Sequence, residues 1–235
     1  MGQIYLIRHG QASFGSDNYD ALSALGRQQG KVLGEWFAGQ GQRFDRVVVG
    51  GMQRHRQTAA ACMEGLGQSA PPEAAWQLEP GFDEYDHHEV LIRHRPEFDE
   101  PGAVQRFLAT HENPKQAYQA IHEAAVGRWI GGDHDAQYGE PWPQFRSRCA
   151  GALQRLLESA GPSQNIAVFT SGGTIGCLCQ GLLGLDDRHT AQLSWTFVNS
   201  AVTKIFYRPG KLALGYLNNY AHLEWWGQPG SVSYR

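Results

Sequence analysis

The stretch Gln3-Ile4-Tyr5-Leu6-Ile7-Arg8-His9-Gly10-Gln11-Ala12-Ser13 decides the reading of this chain. Residues 4–7 are a short apolar run, β-branched and aromatic, bounded by Gly10 and of the length of one buried strand. Such a run predicts a central strand of a parallel sheet with helices covering both faces. Arg8 and His9 then fall at the carboxyl end of that strand, the end at which open α/β sheets bind ligands. Gly10 permits a sharp turn and a close approach of ligand to backbone. An imidazole beside a fixed cation suits an anionic, electrophilic ligand, most directly a phosphoryl group. Alone, though, a histidine after a strand is more often a structural hydrogen-bonder, so the rest of the chain has to decide.

The 235 residues carry no Pro/Ser/Gly-rich linker, and a hydrophobic fraction of 41% with seven tryptophans is ample for one substantial α/β core. No apolar run reaches the length of a membrane span, and the start of the chain lacks a charged-then-apolar signal pattern, so a soluble, cytoplasmic protein is expected. The net charge of −3 and the absence of a basic run argue against nucleic acid as a partner. An anionic substrate must instead be held by a local arginine cluster. Cys62, Cys149, Cys177 and Cys179 form neither a Cys-x-x-Cys nor a zinc-type spacing, which predicts buried, reduced thiols.

Taken in order, residues 14–20 read as a polar loop. Leu22-Ser23 then opens a helix capped by Ser23, with Leu25, Val32, Leu33, Trp36 and Phe37 on its apolar face and Gly39 and Gly41 at its end. Residues 47–49, three valines, predict a second buried strand finishing in Gly50-Gly51. A helix from about Gln53 then carries Arg54, His55, Arg56, Gln57 and Thr58, so a second strand end delivers cations beside glycine. Residues 75–78 are a third strand candidate. It leads into Glu79-Pro80-Gly81-Phe82-Asp83-Glu84-Tyr85-Asp86-His87-His88-Glu89. His87, His88 and these acids are metal ligands in type, but their spacing is not that of a metal-binding helix, and no metal or other cofactor is expected. Polar, aromatic and His-bearing sequence up to about residue 140 reads as an inserted helical cap over the carboxyl edge of the sheet. A helix over residues 142–160, a fourth strand at 166–169, Thr170-Ser171-Gly172-Gly173-Thr174 and a helix through Leu185 follow. The glycine pair at that junction predicts a nest of outward N–H groups for an anion. Residues 201–207 and 212–217 read as a terminal hairpin around Pro209-Gly210.

These motifs together resemble the histidine phosphatase, or phosphoglycerate mutase-like, superfamily over nearly the whole chain. Arg8-His9-Gly10 after a strand is its leading signature, and Leu22-Ser23-x-x-Gly26-x-x-Gln29 is similar to its "LTxxGxxQA" helix opening. Residues 50–59, Gly-Gly-Met-Gln-Arg-His-Arg-Gln-Thr-Ala, resemble "SPLxRxxQTA", which implies that Arg54 rather than Arg56 is the second phosphate-binding arginine. Phe82-Asp83-Glu84-Tyr85-Asp86 resembles "LxExD", which implies Glu84 rather than Glu79 as proton donor. Asn199-Ser200-Ala201-Val202-Thr203 resembles the late "NxSVT". Two positions depart. Ser171 stands where the "VSHGG" of the family carries a second catalytic histidine, and Gly50-Gly51 replaces Ser-Pro.

The resemblance implies a three-layer α/β/α fold with a mostly parallel central sheet, one domain over residues 1–235, and a helical cap insertion at about 87–140. It implies hydrolysis of small phosphate monoesters through phosphohistidine on His9, with Glu84 protonating the leaving group and Arg8, Arg54, Ser171 and Gly172 around the phosphate. Arg8 and Arg54 are expected to keep His9 neutral, and burial or the neighbouring Asp83 and Asp86 to raise the pKa of Glu84. Loss of one charge-assisted donor typically slows such a reaction by about 10² to 10³, or about 3 kcal/mol, and His87, His88, His111 and His222 are the candidate substitutes. A phosphate-binding pseudoenzyme and a phosphoglycerate mutase are the alternatives. A small phosphorylated molecule is the expected partner, and a homodimer through the terminal hairpin is permitted.

Overall fold

Alternate residues of the first strand enter different cores, and the rest of the molecule follows from that division. The structure is a computed structural model that describes residues 1–13 and 20–234, the Lys115 side chain excepted. The predicted loop at 14–20 thus lies outside the described residues but for Asp20. The strands β1 (Gly2–Arg8), β2 (Arg46–Val49), β3 (Gln77–Leu78), β4 (Asn165–Thr170), β5 (Val202–Arg208) and β6 (Lys211–Asn219) form one sheet, ordered β3-β2-β4-β1-β5-β6. β1 pairs in parallel with β4 but antiparallel with β5, so the predicted central strand has a parallel neighbour on one side only. β3 is shorter than expected, because residues 73–75 wind into a 3₁₀ turn.

On one face, Ile4, Leu6, Val48, Ile166, Val168 and Ile205 meet α5 (Pro114–Ile130), α6 (Trp142–Ser159) and α7 (Gly172–Leu183). On the other, Tyr5, Ile7, Val47, Val49, Ala167 and Phe169 meet α1 (Ala24–Gly39) and α2 (Gln53–Leu66). The period of two along each strand therefore makes three layers. Each fully buried aromatic, such as Phe145 or Phe169, contributes roughly 1.5–3 kcal/mol. α1 begins where its sequence predicts, the Ser23 hydroxyl accepting from Gly26 N–H at 3.0 Å. Gly26 also lets the helix reach the β1 exit: a Cβ on it would lie 2.1 Å from the Gln11 carbonyl oxygen.

The inserted region contains α3 (His87–His94), α4 (Ala103–Ala109) and α5. It does not behave as one separate lid. Leu91, Phe98 and Ala103 form a small cluster of their own, whereas Ala125, Val126 and Trp129 of α5 are built into the main core against Trp142 and Phe145. α7 stops at Leu183 rather than at Leu185, because Gly184 takes a left-handed φ of +66°. A further helix, α8 (Asp187–Thr196), follows that the apolar pattern did not predict. β5 and β6 form the expected hairpin, and α9 (Ala221–Trp226) closes the chain over Val198 and Ala201. The four cysteines are buried free thiols. Among the described residues, no helix is long and apolar enough to cross a membrane.

Candidate active site

The carboxyl ends of β1, β2 and β4, with the loop after β3, converge on His9. Its N–H donates to the Thr170 carbonyl at 2.9 Å, which continues the β1–β4 pairing one residue past the strand. Its carbonyl accepts from Ser200 N–H and from the Asn199 amide, each at 3.2 Å. Ser200 holds this geometry with a left-handed φ of +61°, a strained conformation for a residue with a Cβ. The ring is fixed as tightly as the backbone. His9 Nδ1 lies 2.7 Å from the Gly10 carbonyl, which can only accept, so Nδ1 carries the proton and Nε2 the lone pair. Burial holds the His9 pKa well below the usual imidazole value, and the charges of Arg54 and Arg8 lower it further. The sequence expectation named the arginines, but desolvation is the larger cause.

Arg54 sits in the first turn of α2 and is 4% exposed. One of its guanidinium nitrogens donates to the Asp20 carboxylate at 2.8 Å, and Asp20 also accepts from Gln53 N–H at 2.7 Å. The Arg54 carbonyl is bonded by Thr58 Oγ1, which in turn accepts from Gly10 N–H, so helix α2 and the β1 exit are tied together. Arg56, the other arginine of this run, points away and pairs with Glu73 on the surface. Arg8 donates to the backbone carbonyls of Phe197 and Tyr234.

Glu84 is 8% exposed, and burial raises its pKa above the ordinary carboxylate value. Asp83 and Asp86 do not cause this shift. Asp86 turns away to cap α3 through His88 N–H and Glu89 N–H, and Asp83 accepts from Gly51 N–H. The Glu84 carboxylate accepts from Gly173 N–H at 2.9 Å, so the anion nest at the start of α7 holds a side chain of the protein itself. Gly172 stands beside Arg8: a Cβ there would lie 3.5 Å from Arg8 Nε. Glu79 is elsewhere, paired with Arg155 on the surface.

Of the histidines considered from sequence, His222 is buried against Ser200 and pushed down to about 3 by desolvation, and His88 faces Asp99 on the surface. His111 lies beyond α4 against Phe107. His87 stacks on Tyr85, with Nε2 4.0 Å from the Glu84 carboxylate. Sequence reasoning missed His55. It is fully buried, its ring centroid is 6.0 Å from that of His9, and its Nε2 is 2.7 Å from Ser171 Oγ. The available signal was the coincidence of an extra imidazole beside Arg54 with Gly50-Gly51 just before it. Among the described residues, no three His, Cys, Asp or Glu side chains gather as ligands of one metal ion would.

The arrangement offers a neutral imidazole with a free lone pair, two guanidinium groups, a carboxyl biased toward its protonated form and a buried hydroxyl. Comparison with known proteins gives the family and the fold. The profile described as histidine phosphatase superfamily (branch 1) matches residues 4–220. No curated protein matches the chain. Among solved structures, a phosphoglycerate mutase from Bacillus anthracis is similar with a TM-score of 0.66 at 17% identity over 94% of each chain. The phosphoserine phosphatase of Entamoeba histolytica, in complex with phosphoserine, gives 0.63 at 16% identity over 95% of this chain and 100% of its own. A mycobacterial glucosyl-3-phosphoglycerate phosphatase with inorganic phosphate gives 0.59 at 20% identity, over 94% and 99%.

Proposed function

Because the chain belongs to the histidine phosphatase superfamily, branch 1, we propose that it hydrolyses small phosphate monoesters through a phosphohistidine on His9. The observation that carries this reading is the fixed tautomer of His9. Its proton is committed to the Gly10 carbonyl, and its Nε2 lone pair lies in a site lined by Arg8 and Arg54. In the first step Nε2 attacks phosphorus and the ester P–O bond breaks. The leaving oxygen takes its proton from Glu84. In the second, water attacks the phosphohistidine, gives a proton back to Glu84 and releases inorganic phosphate and neutral His9. Most of the acceleration comes from positioning and from charge stabilisation on the equatorial oxygens, which is the role of Arg8 and Arg54. Ser171 and Gly172, at the end of β4 and the start of α7, complete the phosphate surroundings.

The two shifted pKa values support this division of labour. A lowered His9 stays an unprotonated nucleophile into the acid range, and a raised Glu84 stays protonated to higher pH than an exposed carboxyl. Activity should therefore decline as pH rises through the Glu84 pKa. The test is hydrolysis of para-nitrophenyl phosphate between pH 5 and 8 by wild type and His9→Ala, with phosphoenzyme sought by mass spectrometry after an alkaline quench. The reading requires turnover and a labelled His9 in the wild type and neither in the variant. Phosphate binding without turnover would point to a pseudoenzyme, and interconversion of phosphoglycerates to a mutase.

A further inference from the structure

Two departures from the family motifs, Gly50-Gly51 for Ser-Pro and Ser171 for the second histidine, lie far apart in sequence but meet at the ring of His55. Ser171 Oγ and His55 Nε2 are 2.7 Å apart, across 116 residues of chain, and neither residue is exposed. The glycines are what make this possible. A Cβ on Gly50 would lie 2.3 Å from His55 Nδ1, and one on Gly51 2.8 Å from Asp83 Oδ2. Neither residue of a Ser-Pro pair would leave room for the ring and the carboxylate behind it. Asp83, held by Gly51 N–H, keeps its Oδ1 3.9 Å from His55 Nδ1, too far for a hydrogen bond.

We infer that the imidazole absent from the end of β4 is supplied from α2, with His55 orienting and polarising the Ser171 hydroxyl so that the pair donates to the transferring phosphoryl group. The inference rests on the phosphatase reading above. In the tautomer that serves it, His55 Nε2–H donates to Ser171 Oγ, and the Ser171 O–H is left to donate to a phosphoryl oxygen. The register brings Ser171 next to His9: Thr170, the residue before it, is the β4 partner of Arg8, and its carbonyl takes the His9 N–H. A purely structural role fits less well. His55 Nδ1 is buried without a hydrogen-bond partner, a desolvation penalty that an apolar residue at position 55 would avoid. His55 is thus a positioning residue, and Ser171 the group that touches substrate.

The test uses para-nitrophenyl phosphate and steady-state kinetics on the full chain, with melting curves as a check of folding. His55→Ala should lower kcat about 10- to 100-fold with KM changed less than about threefold, and Ser171→Ala should lower it about 10²-fold. Adding His55→Ala to Ser171→Ala should cost nothing more, since the two act as one unit. The decisive variant moves the ring back: Ser171→His in the His55→Ala background should regain wild-type turnover or exceed it. His55→Gln, whose amide can still donate to Ser171 Oγ, should retain more activity than His55→Ala and covers the case in which the alanine variant folds poorly. Wild-type kcat in His55→Ala, or multiplicative losses in the double alanine variant, would overturn the inference while leaving the phosphatase reading intact. A wild type without His9-dependent turnover would overturn both.

Discussion

The ends of β1 and β4 lie side by side in the sheet, and they are furnished in opposite ways. At the end of β1, three consecutive residues bring the cation, the imidazole and the turn. At the end of β4 the local sequence brings only a hydroxyl and two glycines, and the imidazole beside them belongs to α2. The first arrangement can be read along the chain. The second exists only after folding, and it demands matching vacancies at Gly50 and Gly51. If the inference above holds, a site can keep its functional groups in space while its motif breaks in sequence.

Several measurements would break or sharpen that contrast. The largest effect is expected at Arg54, which α2 brings to the group at the β1 exit. Arg54→Ala should reduce kcat/KM on an aryl phosphate by about 10² to 10³. Next comes Gly50→Ala, whose new Cβ must displace the His55 ring; about 1–3 kcal/mol of stability and roughly tenfold in kcat should be lost. In the His55→Ala background the same substitution has no ring to meet, so thermal melts should record a clearly smaller loss. An equal loss in both backgrounds would mean that the two positions are not coupled.

The pH dependence of stability is a smaller and broader effect. His9, His55 and His222 are buried with pKa values below that of an unfolded-chain histidine. As pH falls below about 6.5 the unfolded state takes up protons that the folded state refuses, so stability falls. Each histidine accounts for up to about 1.4 kcal/mol per pH unit until its folded pKa is reached. The melting temperature should drop between pH 7 and pH 5, and less steeply in His55→Gln. The smallest effect is expected at Arg56, a neighbour of His55 whose ion pair with Glu73 is solvent-exposed on both sides. Arg56→Ala should leave turnover unchanged and shift stability by no more than about 1 kcal/mol.

The same contrast explains how much could be read beforehand. The apolar runs, the Ser23 cap and the Pro209-Gly210 turn are local features, and the strands and helices they predict are found, with β3 shorter and α7 earlier to stop. α8 escaped because its buried contacts are few and its apolar residues are scattered among polar ones. The region at 87–140 read as a uniform cap because composition does not reveal that Trp129 enters the main core while Phe98 does not. At the site, Arg54 and His55 are adjacent in the chain but a helix turns about 100° between them. No periodicity in α2 alone distinguishes a ring that faces β4 from one in contact only with its own layer. That Glu84 would occupy the N–H of Gly173 was equally hidden, since a glycine nest predicts an anion without saying whose.

The Asp20–Arg54 pair has a consequence for traffic through the site. The Asp20 carboxylate sits on one of the two guanidinium groups, accepting from Arg54 at 2.8 Å. On the proposed phosphatase reading, Asp20 competes with both ester and product for Arg54. On that reading it would weaken the hold on inorganic phosphate and favour emptying over trapping. Removing its charge should invert that preference: Asp20→Asn is expected to bind inorganic phosphate more tightly, read as a lower inhibition constant, and an unchanged constant would show that the pair opens before phosphate arrives.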